Sequence, residues 1–207
     1  MNKNLKKENE KRKYAISALW GLFWLILLLF IDQATKLVAD AYLQPGDRIE
    51  IIPGWISLCI TYNKGIAYGQ LGNTQPWVKM LIIGATGLLM LIFLIVYFRM
   101  DARRSFLRAA LIFVVAGGIG NFIDRVYFQV WDANALYGVR DMVDLSRFGF
   151  AVCNFADFFI CIGAVMLVLA ILFYDKEALF PCGKYKELAK EYELAEHQTD
   201  ADLRETH

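Results

Sequence analysis

The sequence predicts an all-α polytopic membrane protein, with four transmembrane helices and a small extracytoplasmic β-rich loop region. Three observations carry this. The chain of 207 residues is 57% hydrophobic, far above a soluble domain. Four apolar runs, near 15–38, 77–98, 106–127 and 150–174, match the roughly 20 residues that cross a hydrocarbon core. The charges, +1 in sum, crowd into the first thirteen residues, one short loop and the tail. That balance offers nothing for nucleic acid to bind, so no such partner is expected.

The N-terminal segment 1–14 contains "MNKNLKKENEKRK", with six Lys or Arg before the first run. The run that follows, "YAISALWGLFWLILLLFIDQATKLV", is too long for a signal-peptide core and no small-residue cleavage site closes it. It reads as a retained helix. The loop of about 39–76 comes next. Its patches "RIEII" and "ISLCITY" are rich in β-branched and aromatic residues between Pro/Gly turns, which predicts a few short strands at the membrane surface. Trp55 and Tyr62 in that loop suit interfacial anchoring, or a clamp on a substrate.

"RMDARR" supplies three basic residues between the second and third runs. A second loop, about 128–149, separates the third from the fourth. The tail, 176–207, reads as a polar helix with a frayed end, a solvated extension of the 15–175 membrane domain. Lys and Arg gather in the N-terminal segment, "RMDARR" and the tail. By the positive-inside rule these face the cytoplasm, so both termini are cytoplasmic and the two long loops face outward.

Cys59, Cys153, Cys161 and Cys182 form no CxxC pair. Cys153 and Cys161 lie in or beside an apolar run, where buried small hydrophobes are expected; neither a disulfide nor a metal site follows. The two histidines, His197 and His207, are both in the polar tail. This argues against a histidine metalloenzyme and a Ser-His-Asp hydrolase.

Polar residues inside the apolar runs are costly and call for explanation. Asp32 and Lys36 are four apart, on one helix face, and read as a structural ion pair. Asn121, Asp124 and Arg125 share a face of the third run, with Gly117 one turn back from Asn121 permitting close helix approach. Asp124, beside an arginine, reads as structural and bonded away from it. Arg125 is open between anchoring a substrate carbonyl and tying loops together. Asn154 and Asp157 stand three apart at the start of the fourth run, and Asp141 and Asp144 lie in the loop before it. Asp157 has no basic residue nearby in sequence, which favours a functional reading. Topology brings all these groups to the outer membrane edge.

These residues carry a resemblance. The chain resembles the signal peptidase II family of bacterial intramembrane aspartic peptidases, through "DQATK" (32–36), "TYNKGIAYG" (61–69), "GGIGNFIDRV" (117–126), "GVRDMVDL" (138–145) and "FAVCNFAD" (150–157), in family order. It covers about residues 15–175. It implies a catalytic aspartate dyad. One member maps onto Asp157, with Asn154 in the asparagine position and Cys153 replacing the family's phenylalanine. The other maps onto Asp141 in "VRDM" or Asp144 in "MVDL"; the spacing to Asp157 favours Asp141, although Arg140 replaces the usual valine. The resemblance further implies that Asn63, Gly65, Asn121, Arg125 and Asn154 bind substrate or support the dyad, with Asp32, Lys36 and Asp124 as structure.

The activity so implied is hydrolysis at a lipid-modified cysteine. Two close carboxylates share a proton; one activates water while the other donates to the scissile carbonyl. No metal or cofactor is needed. The expected partners are a diacylglyceryl prolipoprotein and membrane lipids, with the chain a monomer in a bacterial inner membrane and its site near the outer face. A proton-coupled transporter is the alternative, but it more often shows internal repeats and midplane charges, and neither is visible. A non-catalytic scaffold would not require two acids at converging helix ends.

Overall fold

The third apolar run becomes the centre of the bundle because it is the one built from small residues. The computed structural model describes residues 3–65, 75–131, 138–175 and 177–205. Residues 66–69 of the "TYNKGIAYG" motif, and His207, lie outside them. Helix α1 runs over Lys3–Tyr42, α2 over Pro76–Arg99, α3 over Ser105–Arg125, α4 over Phe155–Leu172 and α5 over Lys184–Glu205. The first four contain segments long and apolar enough to cross a membrane. In α3 that segment is 56% buried, against 17–22% in the others, so α3 is the enclosed helix and α1, α2 and α4 face lipid. Ala110, Ala116, Gly117, Gly118 and Gly120 give it a narrow profile against its neighbours. A Cβ at Gly117 would collide with the carbonyl oxygen of Ala156 on α4, and one at Gly120 with the Asp32 carboxylate on α1. Leu25, Leu28, Tyr97, Leu111, Ile112, Val115 and Phe159 fill the space between the helices.

At one end of the bundle lies a three-stranded antiparallel sheet in the order β1 (Ile49–Ile52), β2 (Ile56–Asn63), β3 (Val139–Asp144). The first two coincide with the strand patches read from sequence. The third falls where only a loop was expected. Thr61 pairs with Asp141 and Tyr62 with Arg140, after an irregularity in β2 beyond Leu58. Ala39, Leu43, Ile60 and Met142 pack the sheet onto the end of α1.

Three expectations are corrected. The fourth helix begins at Phe155, not near 150, because Cys153 bridges to Val143: its N–H donates to the Val143 carbonyl at 3.0 Å. Cys161 is exposed on the lipid-facing side of α4 rather than buried. The tail is docked, not free. Tyr185 is buried, the Phe106 N–H donates to its hydroxyl at 3.2 Å, and the Tyr192 hydroxyl bonds Asp101. Just before α5, Arg104 pairs bidentately with buried Asp175 at 2.7 Å to each oxygen. Residues 99–104, the start of α5 and the early turns of α1 thus share the end opposite the sheet.

Candidate functional site

α4 starts with a reciprocal cap. The Asp157 N–H donates to the side-chain oxygen of Asn154 at 3.1 Å, and the Asn154 N–H donates to Asp157 Oδ2 at 3.0 Å. An acid three residues into a helix is favoured there by the exposed amides and the helix dipole. Asp157 is therefore held by its own helix.

Asn121 on α3 supplies the next contact. Its Nδ2 donates to Asp157 Oδ1 at 2.8 Å, while its Oδ1 accepts from Lys36 Nζ at 3.0 Å and from Asn154 Nδ2 at 3.1 Å. A cation on one side and a carboxylate on the other orient this amide one way only. The remaining Nδ2 hydrogen of Asn154 reaches Asp141 Oδ1 at 2.6 Å. Asp141 and Asp157 are thus joined through one asparagine, and the Asn63 side chain also hydrogen-bonds Asp141. Burial first, and the Asp157 charge second, push the Asp141 carboxyl up to about 7.

Asp144 lies elsewhere. Residues three apart on a strand point to opposite faces. Its carboxylate accepts from the Ser146 N–H at 2.8 Å and pairs with Arg48 at 2.8 Å. Hydrogen bonds from Ser146, then Arg48, hold it below the ordinary carboxylate range.

Behind the two acids is a closed set of charges. Lys36 pairs with Asp32 at 2.9 Å and lies 3.6 Å from Asp124; all three side chains are fully buried. Asp32 also accepts the Ala156 N–H of α4 at 2.9 Å. Arg140 completes the set on Asp124, and its Nη2 also donates to Gln33 Oε1 at 3.2 Å. Two acids face two bases, so the set is neutral, as a low-dielectric site demands. Arg140 and Gln33 were not recognised from sequence as part of the site. The available signal was that a buried Asp124 needs a cation, and adjacent Arg125 points away from it.

Arg125 turns toward the first loop, donating to the carbonyls of Gly65 at 3.3 Å and Asn121 at 3.4 Å. The Gly65 N–H donates back to Asn63 Oδ1 at 3.0 Å. The Cys153 thiol, beside both acids, is pushed up to about 12 by burial and by the charges of Asp157 and Asp141, so it stays protonated.

Residues 24–173 match the family model described as signal peptidase (SPase) II. A lipoprotein signal peptidase of Fusobacterium nucleatum is 32% identical over 158 residues, covering 75% of this chain and 88% of that protein. One from Staphylococcus aureus is 31% identical over 165 residues, covering 78% and 91%. A solved structure of a bacterial membrane enzyme, obtained by the in meso method at 1.9 Å, superposes with a TM-score of 0.61 at 27% identity, covering 73% of this chain and 92% of that one. A second, at 2.3 Å, gives 0.61 at 28%.

Proposed function

The chain belongs to the signal peptidase II family, and from that premise we propose that Asp141 and Asp157 are the paired acids of an aspartic mechanism. The protein is a multi-pass bacterial membrane peptidase whose substrates are prolipoproteins. Membership displaces the transporter reading. The observation that carries the aspartic reading is the shared asparagine: Asn154 donates to Asp141 through its side chain and to Asp157 through its backbone.

An aspartic mechanism needs a proton on one of the two carboxyls. Asp141, pushed up to about 7, holds that proton near neutral pH. Asp157 accepts an amide N–H on each oxygen, which suits the ionised form. Asp157 then takes a proton from water, the hydroxide attacks the scissile carbonyl, and Asp141 donates to its oxygen. Asp157 then gives the water proton to the cysteine nitrogen, the C–N bond breaks, and the oxygen's proton returns to Asp141 as the carbonyl re-forms; the signal peptide leaves as a carboxylic acid and the diacylglyceryl cysteine is the new N-terminus. No metal enters this sequence.

Asn63 and Arg125, tied to the loop through Gly65, hold the substrate backbone in register. The dense basic segments at the opposite end orient the bundle with both termini cytoplasmic and the acids at the outer face. A single chain holds every group invoked, so it works as a monomer. Residues 15–175 make up the peptidase domain, between the 1–14 segment and the 176–207 tail.

The test is a gel-shift cleavage assay on a diacylglyceryl prolipoprotein in detergent. Asp141→Asn and Asp157→Asn lose cleavage while still inserting into membranes, and Asp144→Asn retains it. Wild-type turnover by Asp157→Asn would sink the dyad. A dead Asp144→Asn beside an active Asp141→Asn would move the first acid by three residues.

A further inference from the structure

The mechanism leaves one buried cation unused, at the end of the bundle away from the acids. Arg108 stands in the first turns of α3 and is 2% exposed. Its Nη1 donates to the carbonyls of Tyr97 and Met100, both at 2.8 Å. Its Nε and Nη2 are screened from water and donate to nothing. No carboxylate among the described residues pairs with it. The rings of Tyr97 and Tyr14 lie 4.1 and 5.4 Å from the guanidinium, offering π faces but no lone pair to three N–H donors. The position adds to the demand, because a cation at a helix N-terminus stands at the wrong end of the dipole. A fork of unsatisfied donors there calls for a bidentate anion.

Beside Arg108 is a cavity of about 310 Å³ between α1 and α3, lined by Ser17, Trp20, Trp24, Ala109 and Ile112. Trp20 and Trp24 are 59% and 48% exposed, so the mouth opens onto lipid rather than water. Lys11, Arg12 and Lys13, just before Tyr14 on α1, and Arg99 in the last turn of α2 are the basic residues that draw anionic headgroups to this end.

We propose that this cavity binds the phosphodiester of an anionic glycerophospholipid, held bidentately by Nε and Nη2 of Arg108, with the chains running down past Trp20 and Trp24. Tyr14, whose hydroxyl donates to the Phe98 carbonyl and whose ring is the farther of the two, gives up that bond as it swings off the guanidinium to admit the phosphate. A free phosphate would have to shed its water against tryptophan and isoleucine, whereas a lipid phosphate already lies at this boundary. The positively charged start of a signal peptide is repelled by Arg108, so the site is separate from the substrate's. It does not depend on the catalytic reading.

The test uses the full chain in detergent, with dioleoyl phosphatidylglycerol or dioleoyl phosphatidylcholine added and retained lipid counted by native mass spectrometry. Wild type keeps phosphatidylglycerol in preference to phosphatidylcholine. Arg108→Met lowers that retention about tenfold or more, the loss expected for charge-assisted hydrogen bonds, and Arg108→Lys falls between. Ala109→Phe fills the cavity while keeping the arginine, and it loses the lipid too; monodisperse elution shows that each variant is folded. Equal retention by wild type, Arg108→Met and Ala109→Phe would overturn the proposal. So would an upward shift in melting temperature from inorganic phosphate matching that from phosphatidylglycerol, since the ligand would then be a free anion.

Discussion

Asp124 on α3 receives three hydrogen bonds from Arg140 on β3: from the main-chain N–H at 3.0 Å, from Nε at 3.2 Å and from Nη2 at 2.8 Å. The backbone bond matters most for the site, because it pins the strand one residue before Asp141. On the proposed reading Asp124 therefore acts by positioning Asp141. Asp124→Asn leaves Arg140 and Lys36 short of a counter-charge in a buried site, and breaking such a pair costs about 3–5 kcal/mol. Unfolding in detergent should show that loss, with kcat falling more than KM changes. A variant as stable and as fast as wild type would contradict this account. Asp124→Leu combined with Arg140→Met should recover stability ahead of rate.

Stability should fall with pH through Asp141. Its folded value, about 7, lies above the unfolded 3.8, so folding favours the protonated form. The contribution is present in full below pH 3.8 and is lost as pH rises toward 7. Asp141→Asn cannot ionise, so it should gain on wild type in melting temperature between pH 4 and pH 8. A difference that stays constant across that range would count against the raised value. Cleavage by wild type should decline above pH 7, as Asp141 loses its proton.

Asn121 offers a test of the link between the buried charges and the acids. Asn121→Leu removes the donor to Asp157 and the acceptor for Lys36 together, and cleavage should drop at least tenfold by loss of a charge-assisted bond. Asn121→Asp instead sets a third carboxylate beside Asp157, so the cleavage–pH profile should move to higher pH. An unshifted profile in an active Asn121→Asp protein would show that the side chain does not address the acids.

The docked tail separates stability from activity. Truncation after Lys190 removes Tyr192 and its bond to Asp101 but keeps Tyr185, so cleavage should survive with a slightly lower melting temperature. Tyr185→Ala empties a buried site and strands the Phe106 N–H; a loss of about 3 kcal/mol is expected from large-to-small changes of this kind. A tail that merely hangs in solvent would show neither effect.

The spans were legible because run length alone decides them, and β1 and β2 because "RIEII" and "ISLCITY" carry β-branched residues between turns. β3 was not. "VRDMVD" has charges at Arg140, Asp141 and Asp144 with no clean alternation, and it is a strand through its pairing with β2. The same pairing separates Asp141 from Asp144, a choice of face that spacing cannot make. The Asn154–Asp157 cap was present as a spacing, but Phe150, Ala151 and Val152 prolonged the apolar run and hid the helix start. The pairing of Arg140 with Asp124 was not legible because the two lie 16 residues apart on different elements.

The cap at the head of α4 has a consequence for how the enzyme fails. The residue that begins the helix holds both acids: Asn154 binds Asp157 through its N–H and side-chain oxygen, and Asp141 through Nδ2, with Asn63 as a second hold on Asp141. Melting of that first turn would therefore loosen both acids before the rest of the bundle opens. Replacing Asp157 by a side chain that cannot accept these bonds would cost the helix its cap as well as the site its acid.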